Sequence, residues 1–147
     1  MNNHNSLEIL RDKAKEELDQ AAIRLGQVRQ SQLSAKTQLE QLQQYEKEYR
    51  QKLQNGMTQG MASASWYNYQ QFIITLETAI DQHRKLLMQW GQRVQQAIQL
   101  WQTKQQRLNA LSTLHTRYKR IQQTNENRQD QKRMDEFAQQ ATLRTTS

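Results

Sequence analysis

The chain has 147 residues, 35% of them hydrophobic, a net charge of +7 and a mean hydropathy of −1.10. That is too polar for a compact globule of this size, which leaves disorder or an elongated helical structure with a narrow apolar seam. There is no proline and no cysteine, so long uninterrupted helices are permitted and a disulfide framework or thiolate metal site is excluded.

Residues Met1 to Ser6 lack the basic stretch and apolar run of a secretory signal. No segment approaches the ~20 apolar residues needed to span a bilayer. The expectation is a cytosolic protein, with membrane association only peripheral and through partners. The first predicted helix covers residues 6–54, with Asn5 or Ser6 as its cap. Apolar residues in it alternate at spacings of three and four, which is a heptad repeat. Its a positions are Leu18, Leu25, Gln32, Leu39, Glu46 and Leu53, and its d positions are Ala21, Val28, Ala35, Leu42 and Tyr49. Leu7 and Ala14 extend the d row toward the N-terminus.

A loop is predicted over residues 55–65. Gly56 suits the left-handed residue that ends a helix, and Ser63 or Ser65 suits the cap of the next. The second predicted helix covers residues 66–142. Its a row runs Trp66, Ile73, Ile80, Leu87, Val94, Trp101, Leu108 and His115. Its d row runs Tyr69, Leu76, His83, Trp90, Ala97, Lys104, Leu111 and Tyr118.

One short break between two heptad runs makes an antiparallel two-helix coiled coil the simplest all-α fold. Pairing outward from the loop puts Leu53 near Trp66, Leu42 near Leu76 and Leu25 near Val94. Leu7 then falls near Leu111 and the first helix is used up. Residues after Tyr118 form a projecting helix or, on the plainer reading, a disordered tail.

The charge excess lies on the second half. Residues 55–116 carry five basic and two acidic side chains, and residues 117–147 carry seven and four. A basic surface attracts nucleic acid, anionic lipid or an acidic protein, although a solvated helix face explains it as simply. No phosphate loop, zinc-protease motif or nucleophile–base arrangement is present, so an enzyme is not expected, nor a cofactor. His83 and His115 sit at core positions, where a histidine reads as a hydrogen-bonded polar break rather than a metal ligand.

The anomaly lies beside the seam. Positions e and g of a coiled coil are usually polar, yet the g row of the second helix includes Phe72, Ala79, Leu86, Leu100 and Leu114. The first helix contributes Gln38 and Tyr45. The antiparallel register sets Tyr45 beside Phe72 and Gln38 beside Ala79. With Leu42, Tyr49, Leu76 and His83 they form an aromatic-aliphatic strip near the loop. It reads either as a widened core or as a protein-binding patch. In the tail, Met134, Phe137 and Ala141 follow helical spacing. They read as a decorated helix surface or as anchors docking into a groove.

Several tracts resemble the flagellar FliJ family of the bacterial type III export apparatus, and its enterobacterial members most. They are Tyr45 with Glu48-Tyr49-Arg50, Asn68-Tyr69-Gln70-Gln71-Phe72-Ile73, Thr75-Leu76-Glu77 with Gln82-His83-Arg84, and Glu126-Asn127-Arg128 through Met134-Asp135-Glu136-Phe137-Ala138-Gln139. The resemblance covers almost the whole chain. It implies an antiparallel coiled coil like the gamma stalk of rotary ATPases. It also implies a place in the hexameric export ATPase FliI, contact with the export gate FlhA at the cytoplasmic face of the inner membrane, and handling of emptied export chaperones. The gate-binding positions carried over are Gln38, Leu42, Tyr45, Tyr49, Phe72, Leu76, Ala79 and His83. The ATPase is expected at the terminal end, near Met134, Phe137 and Ala141. The rival readings are a nucleic-acid-binding coiled coil and a generic structural one, such as a parallel dimer.

Overall fold

The computed structural model describes residues 2–146, with side chains over residues 5–145; the His4 side chain lies outside that range. Two α-helices, α1 (Asn2–Thr58) and α2 (Ser63–Thr146), are joined by one tight turn. They pack against each other as an antiparallel helical hairpin, with Tyr49 against Phe72 and Leu25 in one cluster with Val94. There is no strand among the described residues.

The turn is tighter than the heptads suggest and uses a different glycine. Gly60, not Gly56, adopts the left-handed conformation, with φ of 83°. The Met61 amide donates to the Gly56 carbonyl at 2.7 Å, and the Gly60 amide to the Met57 carbonyl at 3.5 Å. These two bonds satisfy the last carbonyls of a helix that ends two residues before its left-handed residue. Gly56 has another task. A Cβ there would collide with the Met61 side chain, which folds back over it as the apolar contact that accompanies such a helix end.

So α1 continues through residues 55–58, which the sequence reading assigned to the loop. The Trp66 amide donates to the Ala62 carbonyl at 3.0 Å. Ala62 therefore holds the cap position of α2, and Ser63 and Ser65 do not. Asn5 and Ser6 likewise lie inside α1 rather than capping it.

Residues 20–102 form one compact unit. Its centre is Leu25, Val28, Val94 and Ala97, with Trp90, Ile98 and Trp101 packed around them. Toward the turn, Ala35, Leu39, Ile73, Leu76 and Ile80 are buried as well. These residues, Ile98 apart, occupy a and d positions, so the heptad stripe is the core. Burying each large apolar side chain contributes roughly 1.5–3 kcal/mol at most. Gln32 and Glu46, the polar members of the seam in this part of α1, are half-buried.

The second unit combines the residues up to Asp19 with those from Thr103 onward. Ala14 and His115 are its buried residues, flanked by half-buried Leu18, Leu108, Leu111 and Tyr118. Polar seam positions find partners here. Lys104 donates from Nζ to Oε2 of Glu17 at 3.1 Å. That hydrogen bond, and then the ammonium charge, hold the Glu17 carboxyl below its ordinary value. His115 sits with Nε2 at 3.6 Å from the Glu8 carboxylate and Nδ1 at 3.4 Å from the Arg11 guanidinium. From Lys119 to Thr145 every side chain is exposed, yet the helix continues to Thr146. The tail is helix rather than coil.

Candidate functional site

The two flanks of the seam differ in residues 20–102. On the e flank near the turn, Arg50 bonds Glu46 within α1 at 2.8 Å and reaches across the seam to Glu77 of α2. The hydrogen bond to Glu46, outweighing burial, holds the Arg50 guanidinium even more firmly protonated than usual. Near the turn, this flank answers its own charges.

The g flank is apolar. Tyr45 is 52% exposed and Phe72 41%. Gln38 is exposed, and Ala79 is half-buried. Leu86 and Leu100 continue the exposed row along α2. A g residue points obliquely away from the partner helix, so these side chains lie beside the core and leave much of their surface to solvent.

The d-row members divide. Leu42, Tyr49 and His83 are half-buried and support the strip from beneath. Leu76 is only 7% exposed and belongs to the core. It holds the strip in place rather than offering surface. His83 keeps its ring nitrogen Nδ1 buried with no hydrogen-bond partner, a polar break that the protein leaves unanswered.

Phe72 rests on Tyr49, with ring centroids 4.4 Å apart and planes tilted by 46°. Tyr49 also meets Tyr69 at 5.9 Å, and the Lys52 ammonium lies 5.1 Å from the Tyr49 ring centroid. Tilted rings at these distances attract one another beyond their area alone. The cluster opens into a shallow groove of about 270 Å³ lined by Tyr49, Ser65, Asn68, Tyr69 and Phe72. Ser65, Asn68 and Tyr69 were not among the expected site residues. Their signal was positional, since each lies on α2 within about one or two turns of Phe72, toward the interhelical turn.

The terminal candidates belong to the other unit. Met134 and Phe137 are among the most exposed large apolar side chains of the chain, and Ala141 is exposed as well. Spacings of three and four place them on one face of α2. No group of side chains among the described residues is arranged to hold a metal ion. No described helix is long and apolar enough to cross a membrane.

The geometry is an exposed aromatic-aliphatic strip along two packed helices, beside a shallow groove. Residues 3–147 match the family model described as Flagellar FliJ protein. Over 144 residues the chain is 49% identical to the Flagellar FliJ protein of Salmonella typhi, covering 98% of each chain. It is 47% identical over 144 residues to the Flagellar FliJ protein of Escherichia coli (strain K12), again covering 98% of each. A match over nearly the whole chain at this identity shows that the chain belongs to the flagellar FliJ protein family.

Proposed function

We propose that this chain is a non-enzymatic, stalk-like component of the flagellar type III export apparatus. It binds the hexameric export ATPase FliI, promotes its activity, and links it to the export gate FlhA. It also takes part in escorting emptied export chaperones. Its place is the cytoplasmic face of the inner membrane at the flagellar base.

The observation that carries this reading is the exposed strip of Tyr45 and Phe72, backed by Tyr49, on a chain of this family. Contiguous apolar surface on a helical protein marks an interface, and aromatic side chains in supported positions supply most of the binding energy of such surfaces. The residues that match the family's gate-binding positions are those of this strip. The tail supports the second half of the reading. Its exposed Met134, Phe137 and Ala141 offer an apolar face to a partner groove. The gate face and the tail lie in different units of the chain, so each can be removed without the other.

Among the described residues, deleting from Gln123 onward removes only exposed side chains. The truncated protein is expected to keep its helical seam and its gate affinity, and to lose most of its stimulation of the ATPase. Steady-state ATP hydrolysis by FliI, measured beside gate binding, checks this. Full stimulation by the truncated protein would reverse the assignment of the two ends.

A further inference from the structure

The e flank of residues 20–102 holds a second feature, outside both the aromatic strip and the tail. A groove of about 470 Å³ is lined by Arg29, Gln32, Leu33 and Lys36 of α1 and Leu87 of α2. Its floor is apolar, with Leu33 56% exposed and Leu87 half-buried. Its rim is cationic. Arg29 and Lys36 are both exposed, and neither forms an ion pair.

Nearer the turn, the same heptad position on each helix is paired, Arg50 with Glu77. At the groove α2 offers no acid. The e residues it supplies are Arg84 and Gly91. The only acidic residues of α2 between the turn and His115 are Glu77 and Asp81, already engaged by Arg50 and by Arg84 at 3.7 Å. Glu40, one turn from Lys36 on α1, makes no ion pair either. Gly91 also leaves a notch. A Cβ there would find only the Gln32 amide nitrogen, at 3.8 Å.

We infer that this groove docks an acidic amphipathic helix of a partner protein, with an apolar side chain seated between Leu33 and Leu87 and carboxylates on Arg29 and Lys36. An amphipathic helix laid in a hydrophobic groove is read through anchors on one face, and unopposed rim cations select partners of opposite charge. The apolar floor argues against nucleic acid. A strand-binding groove presents aromatic rings for bases to stack on, and no aromatic residue lines this one.

The test uses the full chain and a labelled helical peptide with leucines on one face and glutamates flanking them. A second peptide carries lysines in place of the glutamates, and a short DNA duplex is the third probe. Fluorescence anisotropy is expected to show binding of the acidic peptide, weakened about tenfold or more in the lysine version and in an Arg29→Glu, Lys36→Glu double variant. Gly91→Leu fills the notch. It is expected to weaken the acidic peptide by a similar factor, with thermal stability unchanged or raised, because leucine favours helix over glycine. Phe72→Ala is expected to leave peptide binding unchanged. Equal binding of the two peptides would overturn the inference, as would indifference to both the charge reversal and Gly91→Leu, or loss of the peptide in Phe72→Ala. Duplex DNA bound with the same dependence on Arg29 and Lys36 would overturn it in favour of a nucleic-acid face.

Discussion

Phe72→Ala is expected to weaken binding to the soluble part of FlhA by about thirtyfold or more, with helicity by circular dichroism nearly unchanged. Phe72 is 41% exposed, so the free protein loses only the buried part of its ring. A bound partner covers the remainder and loses the whole contact. Tyr49, 4.4 Å away, holds the ring in one orientation, so little side-chain freedom remains to be lost on binding. Tyr45→Ala is expected to act in the same direction, since Tyr45 is half-exposed on the same flank. Leu76→Ala differs in kind. That side chain is 7% exposed, and its removal leaves a cavity in the seam. Any loss of affinity there is expected to come with a lower melting temperature. Titration calorimetry beside thermal melts separates the two behaviours, and equal affinity of wild type and Phe72→Ala would remove the strip from the account.

Ile80→Asp is expected to cost roughly 3–5 kcal/mol of stability, whereas Ile74→Asp costs about 1 kcal/mol or less. Both are isoleucines on α2, six positions apart. Ile80 occupies an a position and is 3% exposed, while Ile74 stands on the outer surface at 52%. A carboxylate at position 80 enters an apolar seam with no cation opposite. The same carboxylate at position 74 stays in water and changes little beyond helix propensity. Urea denaturation of the two variants, followed at 222 nm, reads the difference. Similar midpoints for both would mean that the heptad stripe is not the core.

Most of the fold was legible because one physical rule governs it. Two long helices bury a stripe, and a stripe in sequence is a heptad. Val28, Ile80, Val94 and Ala97 are buried where the repeat puts them. Even the polar seam residues were legible as positions, although not their partners. Nothing in the spacing of Lys104 announces Glu17, because that pair depends on the stagger between the helices.

The turn was less legible. Gly56 and Gly60 both suit a helix end by composition. The choice falls to Gly60 because only there do two carbonyls find amides while Met61 covers the last turn. The strip was legible from its g positions, and the role of each member was not. Leu76 is core, and Phe72 leans on Tyr49, a member of the d row. The basic groove went unread because its signal is a missing acid across the helices, visible only once the stagger is known.

On the function proposed, FlhA grips the g flank near the turn and not apolar surface in general. A photoreactive side chain placed in turn at positions 45, 72, 47 and 74 tests it most directly. Positions 45 and 72 lie on the g flank. Positions 47 and 74 lie on the far side of the seam, and Ile74 is as exposed and as apolar as any member of the strip. Irradiation with the soluble part of FlhA should give crosslinks from 45 and 72 and none from 47 or 74. Capture from position 74 as strong as from 72, or none from 45 and 72, would contradict it.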